Sequence, residues 1–80
     1  MKLPVIKKLV ETASMEQLLA AEESILNETA PSIEVEGVDE GEQLTHVMAA
    51  QFIKNEMAEK AVDYMTAMRS YTLKVRTSIS

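Results

Sequence analysis

The stretch DEGEQLTHVMAAQFIKNEMAEKA, residues 39–61, decides the fold. Its apolar residues recur at three- and four-residue steps, the period of an α-helix, so a helix is expected from Asp39 to about Lys60. Two separate lines on that helix are apolar. Leu44, Val47, Met48 and Ala58 form one, and Ala49, Ala50, Ile53, Met57 and Ala61 form the other. A helix apolar on two sides is either central in its fold or part of an interface. Gln51 falls on an otherwise apolar line and leaves the packing there open.

Shorter helices flank this one. Leu3, Val5, Ile6, Leu9 and Val10 share one side of a helix over residues 3–11, with Lys7, Lys8 and Glu11 opposite and Pro4 tolerated in the first turn. Ser14 followed by Gln17 reads as a capping box that opens a second helix, ending at about Glu28. Residues 29–38, TAPSIEVEGV, contain Pro31, Gly37 and the alternation Ile33, Glu34, Val35, Glu36, which suits an extended linker with at most a short edge strand. A last helix runs from Asp63 to about Thr77; Tyr64, Ala67, Met68, Tyr71, Val75 and Ile79 form its apolar stripe. Arg69, Leu73 and Arg76 form an outward ridge on it. The expected fold is all-α: one domain over residues 1–80, a small bundle of about four helices with one extended linker.

Composition narrows the function classes. The chain has 80 residues and no cysteine, which excludes disulfides, thiolate metal sites and cysteine nucleophiles. A domain of this size retains roughly 4–12 kcal/mol of net stability. The start, MKLPVIKKLV, lacks the cleavage pattern of a secretory signal, and no apolar run approaches the roughly 20 residues of a membrane span, so a soluble cytoplasmic protein without membrane contact is expected. Between Lys8 and Lys54 there is no Lys or Arg, yet that interval holds ten of the thirteen acids. Such a segment repels phosphate backbones, and with only Phe52, Tyr64 and Tyr71 as aromatics, no nucleic-acid partner is expected.

The chemistry concentrates near His46, the only histidine, which follows Glu34, Glu36, Asp39, Glu40 and Glu42. Asp39 and Glu42 form a D-x-x-E helix start, and acids in a first turn complement the positive dipole end, so capping accounts for Asp39, Glu40 and Glu42. No calcium loop, zinc-binding H-E-x-x-H or di-iron E-x-x-H spacing is present, and neither a metal nor a cofactor is expected. Glu42 and His46 lie four residues apart on one face, where an ordinary hydrogen bond between them is expected. Glu22 lies in the middle of the apolar face of the second helix, among Met15, Leu18, Leu19, Ile25 and Leu26. A carboxylate there is costly unless paired. If Glu22 and His46 met, they would form an acid–imidazole pair, the minimum constellation for proton transfer; a buried ion pair or hydrogen bond that fixes helix register, or a Glu22 whose stem is covered while its head reaches water, is the plainer reading. The six methionines read as gap-filling core rather than a partner groove.

MKLPVIKKLVE and EGEQLTHVMAA carry a resemblance. The chain is similar, over nearly its whole length, to a family of short bacterial proteins of unknown function that share an MK-x-P-x-IK start and a GEQLTH helix opening. The resemblance implies a stand-alone small protein and brings no catalytic residue with it.

These readings predict a non-enzymatic helical interaction module of unknown biochemical role, without catalytic residues. Self-association is expected, as a homodimer with Ala49, Ala50, Ile53 and Met57 at the interface; a further protein partner is compatible with the same surface. The alternative is a small-molecule or metal-binding protein built on Glu22, His46 and Glu42. The two differ in whether Glu22 and His46 share a solvent-connected pocket.

Overall fold

A computed structural model of the chain describes residues 2–79, with side chains through residue 75. Four helices follow in order: α1 (Leu3–Thr12), α2 (Met15–Leu26), α3 (Glu40–Lys60) and α4 (Tyr64–Ile79). Among the described residues there is no strand, and the architecture is a small all-α bundle. The 29–38 segment is irregular throughout. Ile79 of the α4 stripe and Arg76 of the ridge lie outside the described side chains, as do Met1 and Ser80 outside the described residues.

Local chemistry sets the helix starts. Pro4 occupies the first turn of α1, where its missing N–H costs nothing. At α2 the Ser14 hydroxyl accepts from the Gln17 N–H at 3.1 Å while the Gln17 side chain accepts from the Ser14 N–H at 2.8 Å, a complete capping box. Asp39 caps α3 by accepting from the Glu42 N–H at 2.8 Å. Asp63 does the same for α4 through the Thr66 N–H at 2.9 Å.

Two helix ends use left-handed residues that are not glycine. Glu28, with φ 57°, closes α2: the Thr29 N–H reaches Ser24 O and the Glu28 N–H reaches Ile25 O, the bonding pattern of a Schellman motif. Ala61, with φ 52°, ends α3. In both places a side chain stands where glycine avoids steric cost.

All three other helices pack against α3. Ile6 from α1, Leu18 from α2, and Val47 and Ile53 from α3 are fully buried, each worth roughly 1.5–3 kcal/mol of apolar burial. Ala67 and Met68 of α4 join them. The linker is part of this core, since Val35 is buried and Ile33 packs against the cluster at its edge. Gly37 makes the approach feasible: a Cβ on it would meet Gln43 Cγ at 2.7 Å and the Gln43 backbone nitrogen at 2.9 Å.

This packing corrects the expected interface. Ala49, Ala50 and Ile53 are completely buried within a single chain and form no open line, while Met57 is half-buried against the core. α1 and its neighbours cover that side of α3. Of the two apolar lines, the one carrying Leu44 and Met48 stays partly open, with Met48 51% exposed.

Candidate functional site

His46 is the largest polar side chain in the core, and it is fully buried. Its position on α3 aims the ring at the start of α1 and at the linker. Nε2 lies 2.9 Å from the backbone nitrogen of Lys2, and Nδ1 lies 2.8 Å from the carbonyl oxygen of Glu36. An amide N–H only donates and a carbonyl oxygen only accepts. The ring proton therefore sits on Nδ1 and is donated to Glu36, while the Nε2 lone pair accepts from Lys2. One neutral imidazole thus joins three segments: the residue before α1, the linker and α3.

The carboxylates singled out from the sequence go elsewhere. Glu22 is half-buried, and its Oε1 accepts from Gln51 Nε2 at 2.8 Å; the same amide nitrogen is 3.4 Å from Leu18 O. Glu22 and His46, whose meeting the sequence left open, bond to different partners: both ring nitrogens are occupied by backbone groups. Glu22 and Gln51, the two polar residues on apolar faces of α2 and α3, satisfy each other. Glu42 does not pair with His46 either. Its Oε1 accepts from the Val38 N–H at 3.1 Å, turning back toward the linker as part of the helix start. Glu36 lies 3.9 Å from Lys8 Nζ with both side chains exposed, a contact of little energetic weight. Among the described residues no group of three or more histidines and carboxylates is placed to hold a metal ion.

Other charges settle structural needs. Lys54 Nζ donates to Val10 O at 3.2 Å, satisfying one of the carbonyls left open at the C-terminal end of α1. The two Thr66 hydrogen bonds, from backbone and side chain, hold the Asp63 carboxyl below its ordinary value of 3.8, and the Arg69 charge adds to this. Burial raises the phenol of Tyr71 and, with a contribution from Glu11, that of Tyr64.

Two hollows open at the surface along α3. A hollow of about 550 Å³ is lined by Val10, Met15, Lys54, Asn55, Met57 and Ala58. A second, of about 450 Å³, is lined by Met15, Met48, Gln51, Phe52 and Asn55. They share Met15 and Asn55; the first reaches Val10 of α1 and Met57, whereas the second is a shallow trough beside Met48 and Phe52. Neither His46 nor Glu22 borders either hollow, and the solvent-connected acid–imidazole pocket that the binding-site alternative requires is not formed by these two residues. The sequence favoured gap-filling core over a partner groove for the methionines; Met68 is buried and Met57 packs against the core, whereas Met15 and Met48 line the trough, and their spacing carried no signal that separates the two roles.

Comparison with known proteins gives one result. Residues 1–80 match the model of a family of unknown function, DUF6952, and the chain belongs to that family. No curated protein matches it, and no solved structure does.

Proposed function

We propose that this DUF6952 member is a non-enzymatic helical module that works by associating with a second copy of itself. One observation carries the reading. The side chains suited to chemistry are consumed inside the fold, whereas large apolar side chains remain in the open: Leu19 and Met48 are each 51% exposed and Leu26 is 62% exposed. An imidazole whose two nitrogens bond backbone groups has neither a free base nor a free acid to offer a substrate. Contiguous exposed apolar surface, by contrast, is the mark of an interaction face.

Light scattering across a concentration series tests this. The expected result is a mass of two chains at micromolar concentration that falls toward one chain on dilution. A mass of one chain that persists as the sample is concentrated contradicts self-association. No helix among the described residues is long and apolar enough to cross a membrane.

A further inference from the structure

α3 has neighbours on three sides. At about 100° per residue, Leu44, Met48, Gln51, Phe52 and Asn55 fall within one arc of roughly 100°, centred near Met48, and this is the side on which the trough opens. α2 forms one wall. Its Met15, Leu19 and Leu26 lie within an arc of roughly 40°, and Met15 lines the trough together with Met48 and Phe52. α4 forms the other wall: the Phe52 ring packs 5.5 Å from that of Tyr71, and Lys74 Nζ lies 4.9 Å from the Phe52 centroid.

The two walls carry opposite charge. α2 contains Glu16, Glu22 and Glu23 and no basic residue; on α4 the basic group at the strip is Lys74, which lies over the Phe52 ring. Glu16 and Glu23 are exposed and follow the apolar line at its outer edge. The face is therefore an apolar strip with Glu16 and Glu23 along one edge and Lys74 at the other. Such a surface is complementary to itself when it is turned in one particular way.

With the two central helices aligned, two face-to-face arrangements have a two-fold axis in the plane of contact. With the axis across α3, α2 would lie over the partner's α2, placing acid against acid. With the axis along α3, the two central helices run parallel and α2 lies over the partner's α4, placing acid against base. We infer that this chain forms a two-fold homodimer through the Met48–Phe52 strip, with the axis along α3 and α2 of each copy facing α4 of the other. The inference rests on the self-association proposed above and supplies its surface and orientation. The chain is flattened, 32 × 29 × 19 Å, so a broad face offers on the order of the ~800 Å² per partner found in stable interfaces. Met48 lies near the axis and meets its own copy.

The absence of cysteine makes single cysteines clean probes. Chains carrying Met48→Cys, treated with a short bis-maleimide, should give a covalent dimer. Chains carrying Leu19→Cys should not cross-link to one another, but should cross-link when mixed with chains carrying Lys74→Cys. Met48→Glu, at an exposed position that folding tolerates, should raise the dissociation constant by about a hundredfold by burying an unpaired charge. Three outcomes overturn the inference while leaving self-association standing: a dimer by light scattering in which Met48→Cys stays single, a dimer in which Leu19→Cys joins to itself as readily as Met48→Cys does, or a dimer that Met48→Glu leaves equally tight. A native chain that stays single at every concentration overturns the self-association reading itself.

Discussion

The two sides of α3 are built from similar residues and do different work. On the side facing α1 and the linker, Ala49, Ala50 and Ile53 are sealed, and His46 ties the helix to Lys2 and Glu36. On the side between α2 and α4, Met48, Phe52 and Gln51 line an open trough. Small residues let neighbouring helices come close on the first side, and long flexible ones stand over a gap on the second. The difference teaches that an apolar line on a helix reports a need for cover without saying who provides it.

The largest expected effects come from breaking the sealed side. Ile53→Ala should lose roughly 2–5 kcal/mol of stability in denaturant unfolding, since its neighbours cannot close around the cavity. Met48→Ala, on the open side, should change the stability of the single chain by no more than about 0.5 kcal/mol. Equal losses at the two positions would erase the comparison. Next in size is His46→Ala, which strands the Lys2 N–H and the Glu36 carbonyl; with each unsatisfied group costing about 1–3 kcal/mol, hydrogen exchange should quicken at the start of α1 and in the linker. Exchange that quickens only within α3 would argue against the three-way tie.

A smaller effect, with the opposite sign, sharpens the account at the helix ends. Glu28→Gly and Ala61→Gly should each stabilise the fold by about 0.5–1 kcal/mol, because glycine holds a left-handed backbone without the side-chain clash. A melting temperature that falls in either variant would mean that the end is shaped by other contacts.

Much of the fold was legible because its signals are local. Ser14 with Gln17, and Asp39 with Glu42, mark helix starts through bonds between residues three apart, and both occur as read. The ends were less legible, as Glu28 and Ala61 occupy positions that glycine usually announces. The candidate site was legible only in part. Glu22 and Gln51 each stand out as polar residues on apolar faces, yet nothing in their spacing pairs them across 29 positions. The partners of His46 were beyond reach for a different reason. They are backbone groups, 44 and 10 positions away, and a backbone amide or carbonyl has no residue type to recognise. The choice between the two apolar lines of α3 likewise depends on where α1, α2, α4 and the linker settle, which periodicity does not specify.

The smallest expected effect is at Asp63, and it concerns acid. Its folded pKa is depressed by the Thr66 bonds and the Arg69 charge, so its contribution is present above the ordinary value of 3.8 and is lost as pH falls through the lower folded value. An NMR titration should show Asp63 protonating below that ordinary value, with Thr66→Ala raising the midpoint part of the way back. The side chain is exposed, so only fraying at the start of α4 should accompany the change.

A dilution series followed by NMR tests the comparison of the two sides of α3 most directly. Resonances of Met48, Phe52, Leu19 and Lys74 should move with protein concentration, while those of Ala49, Ala50 and Ile53 stay fixed. Shifts concentrated at Ala49, Ala50 and Ile53, or no concentration dependence at any residue, would contradict the account.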